Sequence, residues 1–227
     1  MLVRTIISFS IAMISCCCCS GQARVSVFAG PQTSTAKYTI LNVNQPTEFK
    51  YGLHAGVGMK VNFENHLFFF PAISYSNTGY KVTYNRVASP PDSSAKDNNT
   101  NFHQADIDLH LQFDFGDQPN HFFFKAGPTF NVIASGKEKF HLTTGEFVNR
   151  KMKLGFYSAY SRILVSFVTS LGYETSSGVY FNLQYAHGLS SLNNADDGPE
   201  ILQRVIGLNV GIYLHSKKIA LDTRNKE

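Results

Sequence analysis

The stretch ADIDLHLQFDF, residues 105–115, decides the fold. Asp106, Asp108, His110, Gln112 and Asp114 share one parity, and Ile107, Leu109, Leu111, Phe113 and Phe115 share the other. Side chains alternate faces along a β-strand, so one face is polar and charged and the other wholly apolar. In a soluble sandwich the apolar face would turn inward. In a membrane barrel it would turn outward to lipid.

The same alternation recurs along the chain, and no helical period competes with it. A first strand is predicted at Arg24–Pro31, with Val25, Val27 and Ala29 on one face. The second, Tyr51–Phe63, sets Tyr51, Leu53, Val57, Met59 and Val61 against Gly52, His54, Gly56, Gly58 and Lys60. The third runs from about Leu67 to Tyr84, and residues 105–115 form the fourth. The fifth, Phe122–Ala134, opposes Phe122, Phe124 and Phe130 to Lys125, Thr129 and Asn131. The sixth, Tyr157–Glu174, opposes Ile163, Val165, Phe167 and Leu171 to Arg162, Ser166, Ser170 and Glu174. Val179–Tyr185 and Arg204–Leu214 complete a set of eight.

The connections alternate in length. Glu64-Asn65-His66, GDQPN at 116–120 and TSSG at 175–178 are short. Stretches at about 32–50, 86–101, 136–153 and 190–203 are longer and polar, and are expected to be loops. ASPPDSSAKDNNTN, 88–101, is the most loop-like of them. Short turns at one rim and long loops at the other are the habit of outer-membrane barrels. An even strand number then puts both chain ends in the periplasm.

Composition agrees with two unlike faces. The chain has 227 residues, with 19 Phe, 11 Tyr and only 16% charged residues, against about 25% in ordinary globular proteins. Mean hydropathy is nevertheless only −0.12. The formal net charge of +4 is scattered rather than gathered in a run, so no nucleic-acid surface is expected. Glycines on the polar faces suit a narrow interior, because eight strands leave room only for side chains. An apolar face of five to seven positions suits a lipid band about 25 Å tall. Backbone polar groups in lipid have no water to bind, so the sheet must close. There is no Trp to form an interfacial belt. Tyr51, Tyr75, Tyr157, Tyr173 and Tyr185, toward strand ends on the apolar faces, are expected to replace it. The fold expected is all-β: an eight-stranded, antiparallel, up-and-down transmembrane β-barrel at 24–215, followed by a charged periplasmic tail at 216–227.

Residues 1–23 read as a signal peptide. MLVR supplies a positive start, and Thr5–Ser15 is an apolar core too short to span a membrane as a helix. Cleavage after Ala23 would place Gly21 and Ala23 at the small-residue positions and remove all four cysteines, Cys16 to Cys19. MISC, 13–16, loosely fits a lipobox, which would make Cys16 a lipidated first residue instead.

YGLHAGVGMKVNF (51–63), HLFFFPAISYSNTGYKV (66–82), YFNLQYAHGLSSL (180–192) and RVIGLNVGIYL (204–214) together resemble the outer-membrane β-barrel domain family of Bacteroidota, the porin-family or PorT-like proteins. The resemblance covers nearly all of the mature chain, and its motifs are barrel patterns rather than catalytic signatures. It implies an eight-stranded barrel in the bacterial outer membrane without a defined activity. The PorT branch is tied to protein secretion, and no residue here singles out that branch. HSKKIALDTRNKE, 215–227, departs from chains that end on an aromatic residue of the last strand.

The candidate site is a charge cluster in the lumen: Lys60, Asp106, Asp108, His110, Lys125, Arg162 and Glu174. Both signs are present, as buried charges require, and an ion-pair network plugging the barrel is expected. Removing Arg162 should then leave carboxylates unpaired, at about 1–3 kcal/mol. Metal binding by Asp106, Asp108 and His110 is disfavoured, because same-face neighbours on one strand lie ~6.5–7 Å apart. GVG, 56–58, lies inside a strand and reads as small lumen residues rather than a phosphate loop. His141, His187 and Ser190 have no nucleophile motif around them. The expectation is a non-enzymatic protein with no catalytic residue, cofactor or metal. Its partners would be outer-membrane lipid and a protein or small ligand at the outer loops. A soluble lipocalin-like barrel binding an apolar ligand, or an outer-membrane hydrolase, is the alternative.

Overall fold

The structure is a computed structural model that describes residues 23–85, 94–155, 158–195 and 198–214. Its elements are β1 (Arg24–Ile40), β2 (Val43–Gln45), β3 (Thr47–Glu48), β4 (Lys50–Glu64), β5 (Leu67–Thr83), β6 (Ala95–Phe115), β7 (His121–Leu142), β8 (Phe147–Lys151), β9 (Ile163–Glu174), β10 (Val179–Gly188) and β11 (Glu200–Tyr213). Each of the eight long strands pairs antiparallel with its neighbours, in the order β11-β10-β9-β7-β6-β5-β4-β1. β1 also pairs with β11, from Ser26↔Tyr213 to Thr39↔Glu200, and this pairing closes the ring. The short β2, β3 and β8 lean on β1, β5 and β7.

The two faces of β6 have clear destinations. Asp106, Asp108, His110, Gln112 and Asp114 are all less than 9% exposed, while Ile107, Leu109, Leu111, Phe113 and Phe115 are 39–53% exposed. The apolar face points out, all around the ring. Leu53, Val57, Ile73, Phe124, Leu171, Leu183 and Leu208 extend the same belt. This is the inverse of a lipocalin's facing. Tyr51, Tyr75, Tyr173 and Tyr185 stand on the outer surface as expected. Tyr157 lies outside the described residues, as do residues 1–22 of the predicted signal peptide, with Cys16, and the 216–227 tail.

The predicted strand ends need correction. A lipid band needs about 9–11 residues per tilted strand, yet β6 has 21 and β7 has 22. Much of what composition marks as loop is strand. The 32–50 stretch continues β1 to Ile40, turns at Leu41-Asn42 and returns through β2 and β3. Leu41 and Asn42 both have positive φ, the backbone that a two-residue hairpin turn demands. Asn98–Asn101 belongs to β6, and 136–153 is largely the β7–β8 hairpin. Conversely the sixth predicted strand starts too early: β9 begins at Ile163. Before it, Tyr160 makes isolated bridges to Leu154 and Asn193.

The added length forms a crown above the belt, at the rim opposite the short turns. There the facing reverses. Tyr38, Tyr80, Val82, Phe102, Ile133, Met152, Leu164, Leu192 and Ile201 form an apolar core inside the crown. Asn101, Lys137, Lys139 and Lys151 look outward. In β7 a bulge makes this change possible. The pairing shifts between Gln104↔Ile133 and His103↔Ser135, so inward residues have odd numbers below it and even numbers above it.

Candidate functional site

The lumen is filled in layers. At the turn rim, Lys60 bonds the carboxylates of Asp114 and Glu174, the latter at 3.0 Å. Arg24 bonds Glu174 as well and lies over the Tyr213 ring at 4.1 Å. His121 Nε2 stands 3.1 Å from Asp114 and 3.5 Å from Glu174. Gln112 donates to the other Asp114 oxygen at 2.7 Å. Asp114, His121 and Glu174 hold one potential metal-ligand atom each within 4.8 Å of one another. The Lys60 ammonium, however, already sits on the two carboxylate oxygens that face His121. Protein cations neutralise this cluster, and its chemistry is that of a buried ion-pair network.

Above it lies an aromatic layer of Phe28, Phe70, Phe123, Tyr180 and Tyr213. Glycines across the strand pairs make room for the rings. Phe123 lies opposite Gly172 and Tyr180 opposite Gly211, and a Cβ at either glycine would overlap the facing ring. The small residues of the lumen therefore house aromatic rings more than long charged groups. Lys125 rests its ammonium on this layer, 4.0 Å from the Phe70 ring centre and 5.0 Å from that of Phe123.

A network of hydrogen-bonded hydroxyls and amides follows. Asp106 accepts from Ser76 at 2.5 Å, Gln104 at 2.8 Å and Asn131 at 2.7 Å. Thr129 donates to Asp108 at 2.7 Å and stands 3.0 Å from His110 Nε2. His54 bridges Ser74 and Asn209 at 2.9 and 3.1 Å. Among the described residues, cavities of about 20 and 40 Å³ remain in this zone. Each has room for about one to a few waters.

The predicted cluster is thus divided. Lys60 and Glu174 meet at the turn rim, whereas Asp106, Asp108 and His110 sit higher, held by hydroxyl and amide groups, with Lys125 between the two. Arg162 is a correction: it is exposed. The strand that would carry it inward starts one residue later, and its parity says nothing about the irregular segment before Ile163. Arg24, Asp114 and His121 join the cluster although the sequence did not single them out. Asp114 has the parity of Asp106 and Asp108, and His121 precedes the predicted start of its strand by one residue, so both were findable.

In the crown, Glu138 has no exposed side-chain surface. Arg150 donates to it twice, at 2.8 and 3.1 Å, Tyr160 at 2.7 Å and Asn98 at 3.2 Å. Burial first, and then the Glu138 charge, push the Tyr160 phenol well above its usual range, so it remains a donor. Ser190 and His187 do not form a nucleophile–base pair. Ser190 Oγ accepts the Val165 amide at 2.7 Å, and His187 Nδ1 lies 3.3 Å from the Tyr185 hydroxyl.

A family model described as outer membrane protein beta-barrel domain matches residues 20–194. No curated protein matches the chain. Among solved structures, it is similar to Ail, the attachment invasion locus protein of Yersinia pestis, in complex with the heparin analogue sucrose octasulfate (12% identity, 85% of this chain and 99% of that one, TM-score 0.44). It is also similar to Neisserial surface protein A (13%, 85% and 99%, TM-score 0.44). The N-terminal beta-barrel domain of Pseudomonas aeruginosa OprF gives 13% identity over 84% and 99%, with a TM-score of 0.31.

Proposed function

Because the chain belongs to the outer membrane protein beta-barrel domain family, we propose that it is a closed, non-enzymatic barrel that works through its crown, as a structural or binding element of the cell envelope. The turn rim faces the periplasm and the crown faces the outside. One observation carries this reading. Among the described residues the lumen is crossed by layers of ion pairs, aromatic rings and hydrogen-bonded amides, and the two cavities between the middle layers measure about 20 and 40 Å³. The cluster of Lys60, Asp114, His121, Glu174 and Arg24 acts as the lower plug, and the Asp106–Asp108–His110 network supports the wall above it.

We further propose that residues 1–23 direct export and are removed, and that the charged 216–227 tail stays in the periplasm. The likeness of residues 51–63, 66–82, 180–192 and 204–214 to porin-family, PorT-like chains of Bacteroidota supports placing it near them. N-terminal sequencing of the mature protein tests the cleavage point. A chain that begins at Arg24 supports the proposal, and one that begins at a lipidated Cys16 overturns it.

Planar-bilayer recording tests the closed lumen. The folded barrel, verified by faster migration unboiled than boiled in SDS, should add no steady single-channel current. A lasting conductance from wild-type protein would overturn the reading. Lys60→Ala, which unties the lower plug, should introduce flicker without a wide open state.

A further inference from the structure

The outer face of the crown across β6, β7 and β8 holds a concentration of positive charge, of which Lys137, Lys139 and Lys151 serve neither the ring nor the lumen. An open cleft of about 640 Å³ there is lined by Lys50, Lys137, Lys139, Arg150 and Lys151, with asparagines between them. Its carboxylate, Glu138, is buried and taken up by Arg150 and Tyr160. Among the described residues, Lys137, Lys139 and Lys151 make no ion pair, in contrast to Lys81 on Glu48 and Lys37 on Glu200. The Lys139 ammonium lies over the Phe147 ring, 4.6 Å from its centre.

The register makes this more than a scatter of surface lysines. Lys137 and Lys151 are direct cross-strand partners. Like charges at such a position destabilise the strand pair. Asn101 completes that row on the other side of Lys137. Two residues along the same face, Lys139 lies between Asn99 and Asn149. Lys50 bonds the Asn99 side-chain oxygen, so the Asn99 amide N–H groups are not engaged by that bond. The result is two rows of cations and amide donors, ~7 Å apart, and among the described residues the one carboxylate in the cleft lining, Glu138, is already taken up by Arg150 and Tyr160.

Height selects the kind of anion. Outward residues of β7 are apolar at Phe122, Phe124 and Phe130 and small at Ala134. Lys137 follows three residues later. At about 3.3 Å per residue on a tilted strand, that is ~8 Å above the apolar belt, within the headgroup layer. The cleft opens sideways, on the face that lower down meets lipid.

We propose that this cleft binds the phosphate groups of an outer-leaflet glycolipid, with one phosphate bridging Lys137 and Lys151 and a second near Lys139. This rests on the reading that places the crown outside. The phosphate would relieve the repulsion that the two facing lysines otherwise impose, through charge-assisted hydrogen bonds.

The test uses full-length folded protein in detergent micelles, titrated with diphosphorylated lipid A or the same lipid stripped of phosphate, read by native mass spectrometry. Wild type should prefer the phosphorylated lipid, and Lys137→Gln/Lys151→Gln should lower that affinity about tenfold or more. Without lipid the double variant should unfold at an equal or higher urea midpoint, because the like-charge pair is gone. Lys137→Glu, which pairs with Lys151, should abolish the preference and raise the midpoint further. Lys81→Gln serves as the charge control and should bind as wild type does. Equal binding of both lipids by wild type, or unchanged binding by the double variant, would overturn the proposal. Tight binding of dextran sulfate with no preference for lipid phosphate would also overturn it, and would assign the cleft to a soluble polyanion. A conducting barrel would sink the closed-lumen reading and leave this result standing, so the two failures are distinguishable.

Discussion

The belt and the crown are built from the same strands and obey opposite rules. In the belt, Leu109 and Phe113 face out while Asp108 and Asp114 are buried inside. In the crown, Phe102 and Tyr80 are buried inside while Lys137 and Lys151 face out. Solvent dictates the difference. Lipid accepts apolar groups and leaves polar ones to find partners within the lumen. Water accepts the polar groups and drives the apolar ones together. A single strand can meet both demands only if its contents change along its length, and β7 adds a bulge to re-aim its side chains.

The sharpest way to break the belt is from inside. Lys60→Ala should destabilise the barrel by about 3–5 kcal/mol, because it strands the Asp114 and Glu174 carboxylates. Urea titration of the protein in lipid vesicles measures it. Lys60→Ala combined with Asp114→Asn and Glu174→Gln should recover much of the loss. From outside, Leu109→Arg, in the middle of the apolar face of 105–115, should cost about 2–4 kcal/mol in the same assay. The matching change in the crown, Val148→Arg on an exposed position of β8, should stay within about 0.5 kcal/mol. Equal effects of the two arginines would erase the distinction between belt and crown.

Glu138→Gln should cost about 1.5–3 kcal/mol through its weakened bonds to Arg150 and Tyr160. Limited proteolysis should show faster cutting in the crown with the belt still intact. A variant that loses the gel shift of the whole barrel at the same rate would show that crown and belt unfold as one. The smallest effect is expected from Arg162→Ala, within about 0.5 kcal/mol. The exposed position of Arg162 replaces the roughly 1–3 kcal/mol expected if it reached the lumen. A loss of that size in the urea midpoint would restore Arg162 to the network.

The belt was readable because its two faces differ greatly in polarity. ADIDLHLQFDF and YGLHAGVGMKVNF display the alternation without interruption, and the short turns mark where one strand gives way to the next. The crown was not readable for a physical reason. In NNTN, 98–101, both the inward Asn98 and Thr100 and the outward Asn99 and Asn101 are polar. Such a strand has the composition of a loop, and long-range pairing holds it extended. The site followed the same division. Parity found Lys60, Asp106, Asp108, His110, Lys125 and Glu174 on inward positions. It failed for Arg162, which lies just beyond the strand to which the period applies. Nor could parity say which inward residues would meet, because that depends on tilt and on the rings between them.

The rim clasp of Arg24, Glu174 and Tyr213 joins β1, β9 and β11. Arg24 and Glu174 are 150 positions apart. No local hairpin can bring them together; they meet only when the chain's first strand finds its last. The clasp is therefore a latch on the seam, because Arg24 reaches Glu174 only in the closed ring. Contacts of such separation fold slowly. A barrel whose final strand is delayed would wait open at this one joint, with its other strand pairings free to form.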